Sequence, residues 1–247
     1  MTELRTSPVS DGDLFSERAR RYALQKPLSP VHVLEAGCGW GQGLDLGTLD
    51  HRSTGVDMDT PALRAHTASR ADLETWHLGD LRTVPMPPRA YDVVHAPYLI
   101  DRVPQAELVL DRFVAALRPG GLLLLRLRDR GSAFGLLDRG MPPWLRDRLL
   151  TGLAPRRRGA APGPPPPALY DEVASRQGIR WYCAMRGLVV AEEYVSRERL
   201  AALGPASGPV SLLCRVMAAC SRGRLSAGHS EVTFVIRKPE SRFARVI

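Results

Sequence analysis

A cluster of glycines between two acidic residues is the part of this sequence best suited to bind a ligand. Glu35 stands two residues before Gly37, and Gly39 and Gly41 follow at alternate positions. Glycine permits positive φ and lets a ligand approach the backbone closely, so this spacing predicts a tight turn that contacts a small molecule. Asp57 ends the next apolar run.

The glycine spacing does not fit a dinucleotide site, whose fingerprint requires glycines at positions i, i+2 and i+5. Counted from Gly37, the third position is Gln42. Counted from Gly39 it is Leu44, and the count from Gly41 fails in the same way. The turn therefore does not predict a nicotinamide or flavin dinucleotide as the ligand.

Short apolar runs that alternate with helical patterns indicate the elements around this turn. The predicted strands cover residues 31–36, 53–57, 73–79, 91–95, 122–127, 188–191 and 231–236, the last one antiparallel. The predicted helices cover residues 14–24, 60–70, 105–117 and 169–185, and a Pro-Gly-Gly sequence at 119–121 is expected to end the third of them. This order predicts an α/β fold with a doubly wound, mostly parallel, seven-stranded Rossmann-like sheet. Ligands of such sheets lie beyond the carboxyl ends of the strands, where the glycine turn falls.

One large domain is expected to occupy most of the 247 residues. Residues 1–28 are predicted to form a helical segment that closes over the ligand as a lid, and residues 29–247 the α/β domain. Insertions at 129–169 and 196–229 are predicted to form a helical cap. Caps of this kind shut water out of a site and select its substrate.

Five segments in this order resemble the class I S-adenosylmethionine (SAM) dependent methyltransferases, in the branch that acts on small metabolites. They are VLEAGCGWG at 33–41, TGVD at 54–57, GDL at 79–81, YDVV at 91–94 and LRPGGLL at 117–123. The resemblance covers about residues 30–128. It implies SAM as the cofactor and S-adenosylhomocysteine as the product.

The resemblance also implies which residues bind the cofactor. They are Glu35, Gly37, Cys38, Gly39, Gly41, Asp57, Met58, Asp80, Leu81 and His95. In the family, the glycine turn shapes the pocket for the methionine part of SAM, and the acid at Glu35 helps to hold its amino group through water. The acid at Asp57 binds both ribose hydroxyls. The acid at Asp80 receives the adenine amino group, and the next backbone N–H, that of Leu81, reaches the ring. Trp40, within the turn, either covers the cofactor or packs on the sheet.

The implied reaction is methyl transfer to an O, N or C atom of a small organic acceptor. The reactive methyl group belongs to the cofactor, so the protein has to align the acceptor and exclude water. His95 and Tyr98, at the end of the fourth predicted strand, are the catalytic candidates. His95 can act as a base near neutral pH, or simply pack at the strand end. Tyr98 can orient the acceptor or pack. No metal site is predicted, because no His or Cys cluster has ligand spacing.

Composition restricts the partners. The net charge is +8, and all but two of the basic residues, Lys26 and Lys238, are arginines. High-GC codon usage and nucleic-acid binding compete to explain this bias. No RNA-recognition motif or aromatic-interleaved basic strip supports a nucleic acid. A basic surface would also steer an acidic substrate or a carrier protein.

The four cysteines form no C-x-x-C pair, which predicts reduced thiols in a cytoplasmic protein. No apolar run predicts a membrane span or an export signal.

Two other functions stay open beside small-molecule methylation, with a role in secondary metabolism as its expected setting. One is an RNA or protein methyltransferase, which the positive charge favours. The other is a protein of this fold that binds SAM without transferring methyl, either as a regulatory binder or as a catalyst of a cyclisation. The fold class also allows a homodimer.

Overall fold

The structure is a computed structural model that describes residues 11–26, 28–39, 43–142 and 168–240, with the backbone alone for residues 11–13. The strands are β1 Val31–Ala36, β2 His51–Asp57, β3 Thr75–Leu78, β4 Tyr91–Pro97, β5 Leu117–Arg128, β6 Val189–Ser196 and β7 Glu231–Arg237. The helices are α1 Asp11–Leu24, α2 Pro61–Ala68, α3 Ala106–Ala116, α4 Ala133–Gly140, α5 Arg176–Met185, α6 Glu198–Ala201 and α7 Ser207–Cys220, with a 3₁₀ turn at Gly204–Ala206. Within these ranges, no helix is both long and apolar enough to cross a bilayer.

The strands form one seven-stranded sheet in the order β3-β2-β1-β4-β5-β7-β6. The pairs from β3 to β5 are parallel, and β7 runs antiparallel to both β5 and β6. The predicted fold class is confirmed, including the antiparallel last strand. Because β1, β2 and β4 are parallel neighbours, their carboxyl ends meet at one edge of the sheet, where the glycine turn begins.

Both faces of the central strands are buried, which explains the continuous apolar run at residues 122–125 of β5. On one face, Leu34 and Val94 belong to a core that includes α3 and α5. On the other, Val33 and Val93 pack with the apolar side of α1. The predicted N-terminal helix is therefore present, and it lies against the sheet.

Two predicted boundaries are wrong. The chain enters β5 directly after α3, and the Pro-Gly-Gly sequence at 119–121 lies inside that strand. Gly120 has φ +80°, so the backbone is not extended at that residue. The strand continues past it because Gly120 N donates to Lys238 O and Lys238 N donates to Gly121 O, each at 2.9 Å. The helix predicted from residue 169 begins only at α5, where the Ser175 hydroxyl accepts from Gly178 N. The segment before α5 instead bonds to the first residue of α3, because Asp171 Oδ2 accepts a hydrogen bond from Ala106 N at 3.1 Å.

The helical character of both cap insertions is confirmed where they are described. Phe134 of α4 packs with Leu200, Leu203 and Cys214 in a small cluster of its own. Residues 143–167 of the first predicted insertion lie outside the described residues.

Candidate functional site

The glycine turn leaves β1 through a backbone conformation that favours glycine. Gly37 has φ +87°, and its N–H donates to Val56 O at 2.8 Å. A Cβ on Gly39 would overlap the Leu63 side chain and lie 3.1 Å from Asp57 Oδ2. Only glycine therefore lets the turn pass between α2 and the end of β2. Gly41, predicted to complete the turn, lies outside the described residues, as does Trp40.

Asp57 is fully buried at the end of β2. Its Oδ2 accepts from Gly39 N at 2.9 Å, and its Oδ1 accepts from Met58 N at 2.7 Å. Burial raises the pKa of this carboxyl to about 6, although both N–H donors favour the charged form. Each oxygen keeps a second lone pair, so the carboxylate can still accept hydrogen bonds from a ligand.

A small cavity opens beside Asp57 at the carboxyl ends of β1, β2 and β4. It is lined by Gly37, Asp57, Met58, Pro97, Tyr98, Leu99, Arg102 and Val103. The structure thus brings together four of the predicted site residues: the cofactor-binding candidates Gly37, Asp57 and Met58, and the catalytic candidate Tyr98. Of the other lining residues, Pro97 ends β4 and the rest follow it, and sequence reasoning missed them. Their signal was their place directly after a strand that ends at the same edge.

Glu35 has a protein partner that the sequence did not predict. Arg70, just beyond α2, donates from Nη1 to Glu35 Oε1 at 2.6 Å and from Nη2 to Oε2 at 2.8 Å. The same Nη1 donates to Cys38 O at 2.7 Å, so Arg70 ties the strand-end acid to the turn. Both side chains are at least nine-tenths buried. Burial raises the pKa of Glu35, and Arg70 opposes that shift.

The Cys38 side chain points into the protein interior. Its Sγ lies 3.9 Å from Thr67 Oγ1, and burial raises the pKa of the thiol to about 12. A thiol of this kind stays protonated near neutral pH, so Cys38 contributes packing and its backbone carbonyl to the turn.

Asp80 and Leu81 follow β3 at the same edge, and neither is among the residues that line the cavity beside Asp57. Asp80 is half-exposed and accepts from Arg82 Nε and Nη2, the latter at 2.6 Å. These contacts lower the pKa of Asp80 to about 2. Leu81 is buried in the main core.

The two catalytic candidates lie in different surroundings. His95 is buried in β4, and its ring meets Phe15 of α1 edge-on at 5.3 Å between centroids. Tyr98 lines the cavity and has φ +54°, in the left-handed region. Its hydroxyl donates to Glu231 Oε2 at 3.1 Å, and that carboxylate also pairs with Arg126 at 2.6 Å. This contact fixes the Tyr98 ring at the wall of the cavity.

No group of three or more His, Cys, Asp or Glu side chains is arranged to hold a metal ion in the part of the chain that the structure describes. An open α/β sheet with a glycine turn, a buried strand-end acid and a cavity at its carboxyl edge defines a cofactor-binding domain. Which cofactor such a domain takes depends on its sequence family.

Residues 34–125 match the family model of the methyltransferase domain. A protein of Mycolicibacterium smegmatis named as a probable S-adenosylmethionine-dependent methyltransferase is 37% identical over 100 residues, which are 40% of this chain and 38% of that protein. The demethylluteothin O-methyltransferase of Streptomyces thioluteus is 37% identical over 106 residues, 39% of this chain and 45% of that enzyme. The trans-aconitate 2-methyltransferase of Paracidovorax citrulli is 31% identical over 114 residues, 42% and 41% of the two chains. The matches span less than half the length of each of these relatives.

Two solved structures share the fold over nearly the whole chain. A protein of Galdieria sulphuraria assigned as a sarcosine dimethylglycine methyltransferase superimposes with a TM-score of 0.52 at 17% identity, over 92% of this chain and 85% of its own. The [4+2]-cyclase SpnF superimposes with a TM-score of 0.51 at 14% identity, over 97% and 87% of the two chains. Residues 34–125, less than half of the chain, thus belong to the family of the methyltransferase domain, and relatives that match this part of the chain at 31–37% identity are named as methyltransferases.

Proposed function

We propose that this protein transfers a methyl group from SAM to an O, N or C nucleophile of a small organic molecule. One observation carries the proposal. The buried Asp57 carboxylate, held by Gly39 N and Met58 N, lines the same cavity as Gly37 and Tyr98. A cofactor that contacts this acid therefore places its other end beside the residues after β4.

The residues around the cavity fit SAM. The free lone pairs of Asp57 suit the two ribose hydroxyls, and Gly37 exposes backbone to the methionine part. In this proposal the Glu35 carboxylate helps to hold the cofactor's amino group through water. The negative charge of Glu35 is largely balanced by its ion pair with Arg70. Asp80 and the backbone of Leu81 are proposed for the adenine end. When bound, SAM supplies an electrophilic methyl group on a sulfonium.

The chain's own contribution is orientation and the exclusion of water. Tyr98 is held by Glu231 in a backbone conformation that turns it toward the cavity, so it is proposed to position the acceptor. Correct placement of two reactants can supply much of the reduction in barrier. His95 is proposed as a base for acceptors that enter protonated.

The N-terminal segment is proposed to help close the site. Asp45 N, shortly after the glycine turn, donates to the Ser16 hydroxyl of α1 at 3.0 Å, and Arg20 Nε donates to Asp45 O at 2.8 Å. Movement of α1 would therefore move the segment that follows the turn.

The relatives support a small-molecule acceptor, because two of them are named for small substrates, demethylluteothin and trans-aconitate. A role in secondary metabolism is the proposed setting. A second candidate is cyclisation without methyl transfer, which the likeness to a [4+2]-cyclase favours. Fold alone does not separate these two activities.

Release of S-adenosylhomocysteine separates the candidates. The purified protein is incubated with methyl-labelled SAM and panels of hydroxylated, amine and carboxylate compounds, with total RNA and a protein mixture as further acceptors. We expect label to appear in at least one small molecule, with an equal amount of S-adenosylhomocysteine. Label in RNA or protein alone, or SAM binding without any transfer, contradicts small-molecule methylation.

The binding of S-adenosylhomocysteine is expected to weaken in acid. The pKa of Asp57 is about 6 in the ligand-free protein, so at pH 5 only about a tenth of the molecules carry the ionised acceptor. If the ribose hydroxyls require that form, affinity falls about tenfold between pH 8 and pH 5. Calorimetric titrations across this range, with Asp57→Asn as the control, test the point. A wild-type profile as flat as that of the Asn variant would contradict it.

A further inference from the structure

Among the side chains that line the cavity, that of Arg102 is the one with a permanent positive charge. Within the described residues it forms no ion pair with an acid, since the acids nearby pair with Arg128 and Arg199. Its Nε is shielded from solvent and makes no hydrogen bond. Arg102 is only partly exposed to solvent, and a partly desolvated cation without an acidic partner costs free energy, which makes it a candidate for contact with a ligand. Arg102 lies five residues after the end of β4, in the segment that lines the cavity together with Gly37 and Asp57.

The other arginines nearby are all paired. Arg128 donates from Nε to Asp101 Oδ2 at 2.5 Å, and Arg199 Nε lies 3.1 Å from Glu231 Oε1. Asp101, the acid adjacent to Arg102 in sequence, is thus already bound by Arg128. Arg128 keeps one donor, Nη2, that is shielded and makes no hydrogen bond. Two shielded guanidinium donors, one from each arginine, therefore lack an acceptor in this region, and two shielded carboxylate oxygens, Asp101 Oδ1 and Asp138 Oδ1, lack a donor.

The charge of Arg102 interacts both with Asp57 and with the neighbouring arginines. Its charge lowers the pKa of Asp57, and the charges of Arg128 and Arg199 act on Arg102 itself. Burial is the main cause that lowers the pKa of Arg102 to about 10. The charge of Asp101 opposes this shift, and the charges of Arg128 and Arg199 add to it. The group stays protonated at neutral pH. An anion placed here would relieve its desolvation and the repulsion between the arginines.

Resting on the proposed function, we propose that Arg102 binds an anionic group, a carboxylate or a phosphate, of the methyl acceptor. Arginine suits this role because its planar fork matches the oxygens of both groups. One other anionic group has the same binding chemistry, the carboxylate of the cofactor's methionine part. The acceptor is favoured because the two arginines whose charges act on Arg102 belong to or contact the predicted cap insertions, Arg199 in α6 and Arg128 through Asp138 of α4.

Anion binding is measured by calorimetry with acetate, citrate and inorganic phosphate as probes, on protein with and without saturating S-adenosylhomocysteine. Wild type is expected to bind at least one probe, and Arg102→Met to lose about tenfold or more in that affinity, as for a hydrogen bond to a charged group. Arg102→Lys should keep part of it. Arg197→Met, which removes an equal charge from an exposed cap residue, should bind as wild type does. Equal affinities in wild type and Arg102→Met, or no probe bound by wild type, would overturn the proposal.

A second titration separates the two sources of the anion. S-adenosylhomocysteine is compared with its decarboxylated analogue in both proteins. Equal affinity of wild type and Arg102→Met for S-adenosylhomocysteine supports the acceptor. A loss for S-adenosylhomocysteine but not for the analogue assigns Arg102 to the cofactor and overturns the proposal. If wild type binds no S-adenosylhomocysteine, the proposed function fails, while the anion titration on the free protein still tests Arg102.

Thermal unfolding shows whether Arg102 is merely structural. Removal of an unpaired, partly desolvated cation should leave the melting temperature of Arg102→Met equal to or above that of wild type. A clear drop would indicate that the guanidinium stabilises the fold, and would contradict its assignment to a ligand.

Discussion

Replacement of Arg70 by methionine is expected to lower the free energy of unfolding by about 3–5 kcal/mol, the usual cost of removing one partner of a buried ion pair. The change leaves the Glu35 carboxylate buried without its two guanidinium bonds and removes the donor to Cys38 O. Chemical denaturation of the two proteins measures the difference. We also expect weaker binding of S-adenosylhomocysteine, since the turn loses its connection to β1.

The loss should depend on pH. Burial raises the pKa of Glu35 even with Arg70 present, and it will rise further without that cation. A carboxyl whose pKa is higher in the folded than in the unfolded chain costs stability wherever it is ionised. The deficit of Arg70→Met should therefore be largest above neutral pH and shrink as the pH falls toward the unfolded value of about 4.3.

Two further variants separate the pair from a general effect of lost charge. Arg64→Met removes an exposed arginine of α2 whose ion pair with Asp59 lies on the surface. This change should leave the unfolding midpoint almost unchanged. Glu35→Gln combined with Arg70→Met should recover part of the lost stability. If Arg70→Met unfolds no more easily than Arg64→Met, the Glu35–Arg70 pair does not hold the turn.

Replacement of Asp57 by alanine is expected to weaken the binding of S-adenosylhomocysteine by about 1–3 kcal/mol, because the ribose hydroxyls then lack their acceptor. The change also leaves Gly39 N and Met58 N without the carboxylate that each now donates to. Asp57→Asn keeps one carbonyl oxygen and the volume, so its affinity should lie between those of wild type and the alanine variant.

Asp59→Ala is the matched control, since this acid stands two residues away and pairs with Arg64 on the surface. Calorimetry on the three variants and wild type gives the comparison. An affinity of Asp57→Ala equal to that of wild type would remove this acid from the cofactor site, whatever the result for Asp59→Ala.

The sheet could be predicted because its physics is local. Strands buried on both faces are mostly apolar, and residues 31–36, in which only His32 and Glu35 are polar, show this. The missed boundaries came from contacts distant in sequence. The strand that starts at Leu117 continues through its glycines because Lys238 pairs with them, and the late start of α5 reflects a segment bonded to Asp101 O and Ala106 N. Proline and glycine patterns carry no information about such partners.

The same contrast holds at the site. Asp57 could be identified because an acid at a strand end next to a glycine turn has few other places to point. Arg70 could not, since its partner Glu35 lies on the far side of β2 in sequence and only packing brings the two together. Arg102 gave no signal either, because an arginine after a strand is ordinarily paired or solvated. Arg102 lacks an ion pair only because of how segments distant in sequence pack around it.

Parallel titration of the wild-type protein with S-adenosylhomocysteine and with NAD tests the account most directly. The account predicts that S-adenosylhomocysteine saturates a single site and raises the melting temperature, as any ligand that binds only the folded state must. NAD should do neither, because the glycine spacing does not match a dinucleotide. Well-folded protein that takes up no S-adenosylhomocysteine, or that binds NAD in its place, would contradict it.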